Sequence, residues 1–196
     1  MVDLDYIKIS DVDIGIYKKG PVGIGVSCGA DSALLLYILM SNTSQHIHIY
    51  NMMANWRRNA LEEPFDNVVK TCAKLTGNEN YTVHKNYVDM PSAEFYIKMI
   101  NTALDSNEVD IVYYGLTVFP PKEEWKSWPV KHQPEWHNEL RSDKIQHPLF
   151  GFNIPVELAT DFGQDCPLTS DGTPTNELSL DERVYIPLYN HNKKVI

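Results

Sequence analysis

The sequence predicts one α/β domain over residues 1–196: a parallel β-sheet with helices on both faces, and a loop-rich insertion or lid at about 118–182 before the last strand. Three observations predict it. Apolar runs of strand length alternate with stretches at helical spacing. The first such run, VGIGV at 22–26, shows no polar alternation, as expected of a strand covered on both faces. Finally, 196 residues with 43% apolar and 22% charged side chains suit a single core.

In chain order, VGIGV is a buried strand, and after a Gly/Ser/Cys turn ADSALLLYILM at 30–40 is a helix apolar all round. The run at 47–50 repeats the strand signal. Val68, Val69, Cys72 and Leu75 follow at helical spacing, with Gly77 as the C-terminal stop. Residues 81–88 are rich in β-formers, a helix is expected over about 92–104, and the apolar run 109–114 closes at Gly115. In such a fold ligands sit at the carboxyl ends of the strands. Eight of the twelve prolines then fall between Pro120 and Pro174, together with Trp125, Trp128 and Trp136. This stretch reads as a loop excursion packed by its own aromatics, or as one facing a substrate or partner. RVYIPL at 183–188 restores a buried strand.

Seventeen Lys and Arg against 26 Asp and Glu leave a formal charge of -9, which argues against general nucleic-acid binding and against an anionic membrane surface. No apolar run reaches the ~18–20 residues of a membrane span. The start Met1-Val2-Asp3-Leu4-Asp5 lacks the basic region of a secretory signal, so the expected compartment is cytoplasmic, with no membrane partner. Cys28, Cys72 and Cys166 are too widely separated for a CxxC pair, and reduced thiols are expected.

The chemistry concentrates in SCGADS at 27–32. Ser27, Cys28, Gly29, Ala30, Asp31 and Ser32 are mostly small residues at the mouth of a helix, which leaves backbone N–H groups open to an anion such as phosphate. The hydroxyls of Ser27 and Ser32 are candidate donors to phosphate oxygens. Asp31 would repel a polyphosphate unless a divalent cation lay between them, so it points to Mg²⁺. The competing explanation is an ordinary helix cap, because Ser and Asp favour first turns whatever the function. A Walker A loop is excluded, since no lysine follows Gly25 or Gly29 at the required place. Gly23, Gly25 and Gly29 form a loose relative of the dinucleotide fingerprint, but Asn51 stands where an acidic ribose ligand is expected.

SCGADS in this strand–loop–helix setting resembles the SGGxDS signature of the PP-loop ATP pyrophosphatases, within the adenine nucleotide α-hydrolase superfamily. Ser27, Gly29, Asp31 and Ser32 stand at the matching positions. Cys28 replaces a glycine, which suits amide donation where φ is negative or the strain is tolerated. Pro187-Leu188-Tyr189-Asn190-His191-Asn192-Lys193 is similar to the P-[LI]-x4-K spacing late in GMP synthetase, NAD synthetase and 7-cyano-7-deazaguanine synthase. The resemblance implies that Lys193, with Lys194 as fallback, neutralises charge on a leaving pyrophosphate. It also implies ATP and Mg²⁺ as cofactors, with cleavage of ATP to AMP and pyrophosphate. A small-molecule or nucleobase acceptor would be adenylated at a carboxylate or carbonyl oxygen, for attack by a nitrogen or sulfur nucleophile. Met52 and Gly115, at strand ends facing the same crevice, would wall the nucleoside. Relatives continue as a helix beyond the lysine, so either the fold is minimal or a homo-oligomer, a partner subunit or a longer natural chain is expected to complete the C-terminus.

Other groups are weaker candidates. Arg57 and Arg58 could meet phosphate or stand solvated. His132, His137, His147, Cys166, Asp161 and Asp165 show no ligand spacing, and no structural zinc is expected. Cys166 is the candidate reactive thiol, Cys72 reads as packing, and the helix dipole would lower the Cys28 pKa. Two other functions stay open: a nucleotide-binding module without turnover, and a dinucleotide-binding oxidoreductase.

Overall fold

A computed structural model of the chain describes residues 3–10, 12–89, 93–115, 144–146, 153–155, 183–185, 187 and 188, with 93–97, 144–146 and 153–155 as backbone only. A hairpin of β1 (Asp5–Ile9) and β2 (Val12–Ile16) comes first. There follow β3 (Val22–Gly25), α1 (Ala30–Asn42), β4 (Ile47–Ala54), α2 (Arg58–Thr76), β5 (Tyr81–Val88), α3 (Ala93–Asp105) and β6 (Ile111–Tyr114). Within the expected insertion, β7 (Lys144–Gln146) pairs antiparallel with β8 (Asn153–Pro155), and β9 (Val184–Tyr185) follows.

The main sheet has the order β5-β4-β3-β6-β9 with every pair parallel. The chain winds outward from β3 to β5, returns through α3 to β6 on the other side of β3, and ends at β9. Strand order therefore reverses between β3 and β6, where open α/β sheets hold ligands. Both strands are buried at every residue, as expected at the middle of a sheet covered on two faces.

One face carries Ile24, Ile49, Met53, Ile111 and Tyr113, which share a continuous core with Leu35 and Leu39 of α1 and Phe65 and Val69 of α2. The other face meets α3. There Gly23 and Gly25 leave β3 without side chains so that neighbouring rings can cross it. A Cβ at Gly25 would stand 2.4 Å from Tyr114 Cε1, and one at Gly23 would stand 3.1 Å from Tyr50 Cε2. These two glycines serve packing.

The hairpin lies outside the sequence expectation, which starts at residue 22. Val12, Ile14 and Ile16 turn into the core while Asp13 faces water. Tyr113 Oη fastens the hairpin to the sheet: it donates to Gly15 O (3.0 Å) and accepts from Tyr17 N–H (2.8 Å). Tyr185 Oη accepts from Gly15 N–H (3.2 Å). The second helix also starts earlier than the apolar spacing indicates, and it contains Pro64 in its interior.

Gly25→Ala is expected to cost about 1–3 kcal/mol, because the Tyr114 ring must leave its place. The measurement is the urea midpoint at unchanged slope, and adding Tyr114→Leu should lose less than the sum of the two single changes.

Candidate functional site

The bend from β3 into α1 lies at the reversal of strand order. Ser27, Gly29 and Ala30 are exposed, Asp31 is half-buried and Ser32 is buried. The helix begins at Gly29 (φ -78°, ψ 157°), which has no side chain to offer as a cap, and no side-chain cap is made. Gly29 O accepts the Ala33 N–H (3.0 Å), so α1 is regular from its first turn. First-turn amides carry the positive end of the helix dipole, and a glycine entry leaves room for an anion to approach them.

Ser32 shapes the bend from inside. Its Oγ accepts from Ser27 N–H (3.2 Å) and donates to Gly29 O (3.1 Å), while Ser27 Oγ stands 3.4 Å away. In this geometry the Ser32 hydroxyl and the Ser27 amide are engaged within the bend. Across the crevice, Gly115 ends β6 directly against the first turn of α1. A Cβ there would lie 2.8 Å from both Ser32 N and Ser32 Cα, and 2.9 Å from Asp31 C. The structure thus brings Asp31, Ser32 and Gly115 together, three residues singled out from the sequence.

Asn51 supports the base of the bend. Its side-chain N–H donates to Val26 O (2.7 Å), its Oδ1 is buried without a partner, and Val26 N–H donates to Tyr50 O (2.9 Å). Only the identity of Asn51 as a non-acidic residue is visible in the sequence; its place beneath the bend depends on strand register.

Cys28 takes φ +66°, the left-handed region that favours glycine. The strain expected of a glycine replacement is therefore present, at about 1–2 kcal/mol for an L-residue. Its Sγ turns towards α2, 3.9 Å from Leu61 O, and packs against the core. Burial pushes the thiol pKa up, and the nearby Asp66 carboxylate adds to the rise. This corrects the expected lowering by the helix dipole: desolvation of the thiolate outweighs it. Cys72 is buried with Sγ 3.7 Å from Ala33 O, in keeping with packing.

Arg57 and Arg58 stand at the start of α2 rather than on a loop. Arg57 lies over the Trp56 ring (5.3 Å). Arg58 bonds Glu62 (3.0 Å) and lies over the Tyr87 ring (4.3 Å), which ties it to its own helix and to β5. Glu62 also accepts from Tyr87 Oη (2.7 Å) and from Lys85 Nζ (3.2 Å). Those hydrogen bonds, that from Tyr87 first, hold its carboxyl at a pKa of about 2.

Met52 lies on the α3 face of β4 and lines a cavity of about 340 Å³ with Tyr50, Asn86, Val88 and Met99. None of the cavity's lining residues belongs to the bend. Lys193, Lys194, Cys166, His132, His137 and His147 lie outside the described residues, as does most of the 118–182 stretch. No helix among the described residues is long and apolar enough to cross a membrane.

No family model and no curated protein matches the chain. Among solved structures, a universal stress protein in complex with cAMP aligns at a TM-score of 0.35 and 10% identity, over 48% of this chain and 70% of that one. A short-chain dehydrogenase from Oenococcus oeni PSU-1 aligns at 0.34 and 13%, over 62% and 48% of the two chains. A multidomain structure with adenylation, ketoreductase and pseudo Asub domains from a keto acid-selecting NRPS module aligns at 0.33 and 13%, over 55% and 9%. The reading of the site rests on its own geometry.

Two outcomes are expected. Cys28→Gly should be more stable than Cys28→Ala by about 1 kcal/mol in chemical denaturation, because only glycine relieves the left-handed strain. The Glu62 carboxyl should titrate near pH 2 by carbon-detected NMR, and Tyr87→Phe should raise that value. A folded-state pKa held below its unfolded value contributes stability above the unfolded value of about 4.3, and that contribution is lost as pH falls towards 2.

Proposed function

We propose that the bend at 27–32 binds the triphosphate of ATP and that the chain is a PP-loop-type ATP pyrophosphatase. The observation that carries the reading is the uncapped, glycine-entered start of α1 at the reversal of strand order, with Gly115 closed against it. Exposed main-chain groups at Gly29 and Ala30, at the positive end of a helix whose entry carries no side-chain cap, fit an anion chemically.

In this proposal the exposed backbone at Gly29 and Ala30 faces the phosphates, and Ser32 holds the bend in shape for them. Asp31 would hold Mg²⁺, which when bound supplies positive charge to the phosphate oxygens. Lys193 would stabilise the leaving pyrophosphate as a point charge. Met52 and Gly115 would wall the nucleoside. A carboxylate or carbonyl oxygen of the acceptor attacks the α-phosphorus, the bond to the β,γ-unit breaks, and pyrophosphate leaves with its electron pair. A nitrogen or sulfur nucleophile, or water where none is supplied, then attacks the adenylated carbon, and AMP leaves with the acceptor oxygen. The protein's part is to align the oxygen and to meet charge where it accumulates.

A second reading is nucleotide binding without turnover. The engagement of the Ser32 hydroxyl inside the bend and the strained Cys28 favour it, since fewer groups then remain for the phosphates.

Incubation with α-labelled ATP and Mg²⁺ should yield AMP and pyrophosphate, with turnover lost in Asp31→Asn and Lys193→Ala. Gly115→Ala should weaken ATP binding about tenfold or more, because its methyl group forces β6 and α1 apart. Saturable binding without AMP would establish the second reading, and the absence of ATP binding would overturn both.

A further inference from the structure

Three side chains far apart in sequence meet on the α3 side of the sheet. His48 is on β4, His84 is on β5 opposite Tyr50, and Glu108 follows α3. All three are partly buried, and their ligand atoms lie within 4.8 Å of one another. His48 Nδ1 and His84 Nε2 are 3.0 Å apart. Glu108 Oε1 faces them at 3.5 Å and 3.7 Å, beyond ordinary hydrogen-bond distance. A triangle with these three edges has a circumradius of about 2.0 Å. Zinc binds imidazole nitrogen and carboxylate oxygen at about 2.0–2.2 Å, so a single ion just off the plane of the three atoms is in bonding range of all of them.

From this geometry we propose that His48, His84 and Glu108 form a binding site for a divalent transition metal of the zinc class. Two imidazoles and one carboxylate are a recognised zinc donor set, and with three protein ligands a fourth position stays open. His84 and Glu108 also line the 340 Å³ cavity between the sheet and α3, so the site borders a space able to hold a small ligand.

The surroundings orient the ligands. Tyr50 Oη donates to Glu108 Oε2 (2.7 Å), which leaves Oε1 for the imidazoles. His48 stacks on His84 with ring centroids 5.2 Å apart, and His84 on Tyr50 at 4.6 Å, so the rings are held parallel. His46 stands next to His48, but both of its nitrogens are engaged, Nδ1 with Asn80 Oδ1 (2.7 Å) and Nε2 with Thr82 Oγ1 (2.9 Å). It therefore serves as the control histidine. The proposed site departs from the expectation of no structural zinc, because strand register brings together ligands that show no spacing signal in the sequence.

The test is calorimetric titration of the full chain with Zn²⁺, together with visible absorption on addition of Co²⁺. One equivalent should bind with micromolar affinity or tighter, and the cobalt form should show the intense bands of low-symmetry four-coordination. His84→Ala and Glu108→Gln should each weaken binding about tenfold or more, whereas His46→Ala should leave it unchanged. Imidazole ¹⁵N shifts of the unsubstituted chain on adding Zn²⁺ should move at His48 and His84, a readout that does not depend on any variant folding. Absence of saturable binding, equal binding by His84→Ala and Glu108→Gln, or shifts confined to other histidines would overturn the site.

Discussion

The arrangement depends on the approach of two backbones. Where β6 ends, Gly115 lies so close to the first turn of α1 that even one methyl group would meet Ser32 N at 2.8 Å. The spacing of β3 and β6 is set by their hydrogen-bond ladder, while this contact sets how closely the first turn of α1 lies over the end of β6. It is a steric constraint between main-chain atoms, which no side-chain substitution elsewhere can relax. The helix start and the strand end meet at this contact, and the bend beside them is shaped from inside by the Ser32 hydroxyl.

The rest of the sheet is organised around the same central strand by an asymmetry of bulk. On its α1 face β3 offers Val22 and Ile24 to a continuous apolar core, and on its α3 face it offers Gly23 and Gly25, over which Tyr50 and Tyr114 spread. One face is held by close apolar packing, the other by rings and the polar groups they carry. Tyr113 applies the same device beyond the sheet: its ring is in the core, and its Oη, whose pKa burial raises, locks the hairpin by two main-chain hydrogen bonds. A buried hydroxyl that both donates and accepts leaves no polar group stranded there.

Much of this is legible in the residue pattern, and the failures have physical causes. The strands at 22, 47, 81 and 111 are apolar or β-rich runs bounded by turn residues, so local composition locates them and their order implies a parallel sheet. The hairpin at 5–16 also carries a signal, the alternation of Ile7 and Ile9 with Val12, Ile14 and Ile16, which a search for continuous apolar runs passes over. α2 appears to start near Val68 because Pro64 interrupts the pattern, although the helix holds around it from Arg58 by burying Phe65 and Val69. The places of SCGADS and Gly115 at the ends of β3 and β6 are legible because turn residues bound the apolar runs. The left-handed Cys28 is not, since nothing in a single sequence reports φ. Nor is the meeting of His48, His84 and Glu108, which follows from β4–β5 register and from the return of the chain after α3.

The two candidate sites draw on opposite kinds of chemistry because they occupy opposite kinds of surface. At the bend, the proposed contact would come from main-chain amides and a helix dipole, which tolerate changes of side chain so long as residues stay small. On the α3 face the contact comes from imidazole and carboxylate groups, held in place by stacked rings and by Tyr50. The same glycines at 23 and 25 lie behind both, since they let Tyr50 and Tyr114 cross the strand from which the bend departs. Tyr50 accordingly occupies a joint position: its backbone oxygen accepts the Val26 amide just before the bend, and its hydroxyl holds Glu108 on the far face.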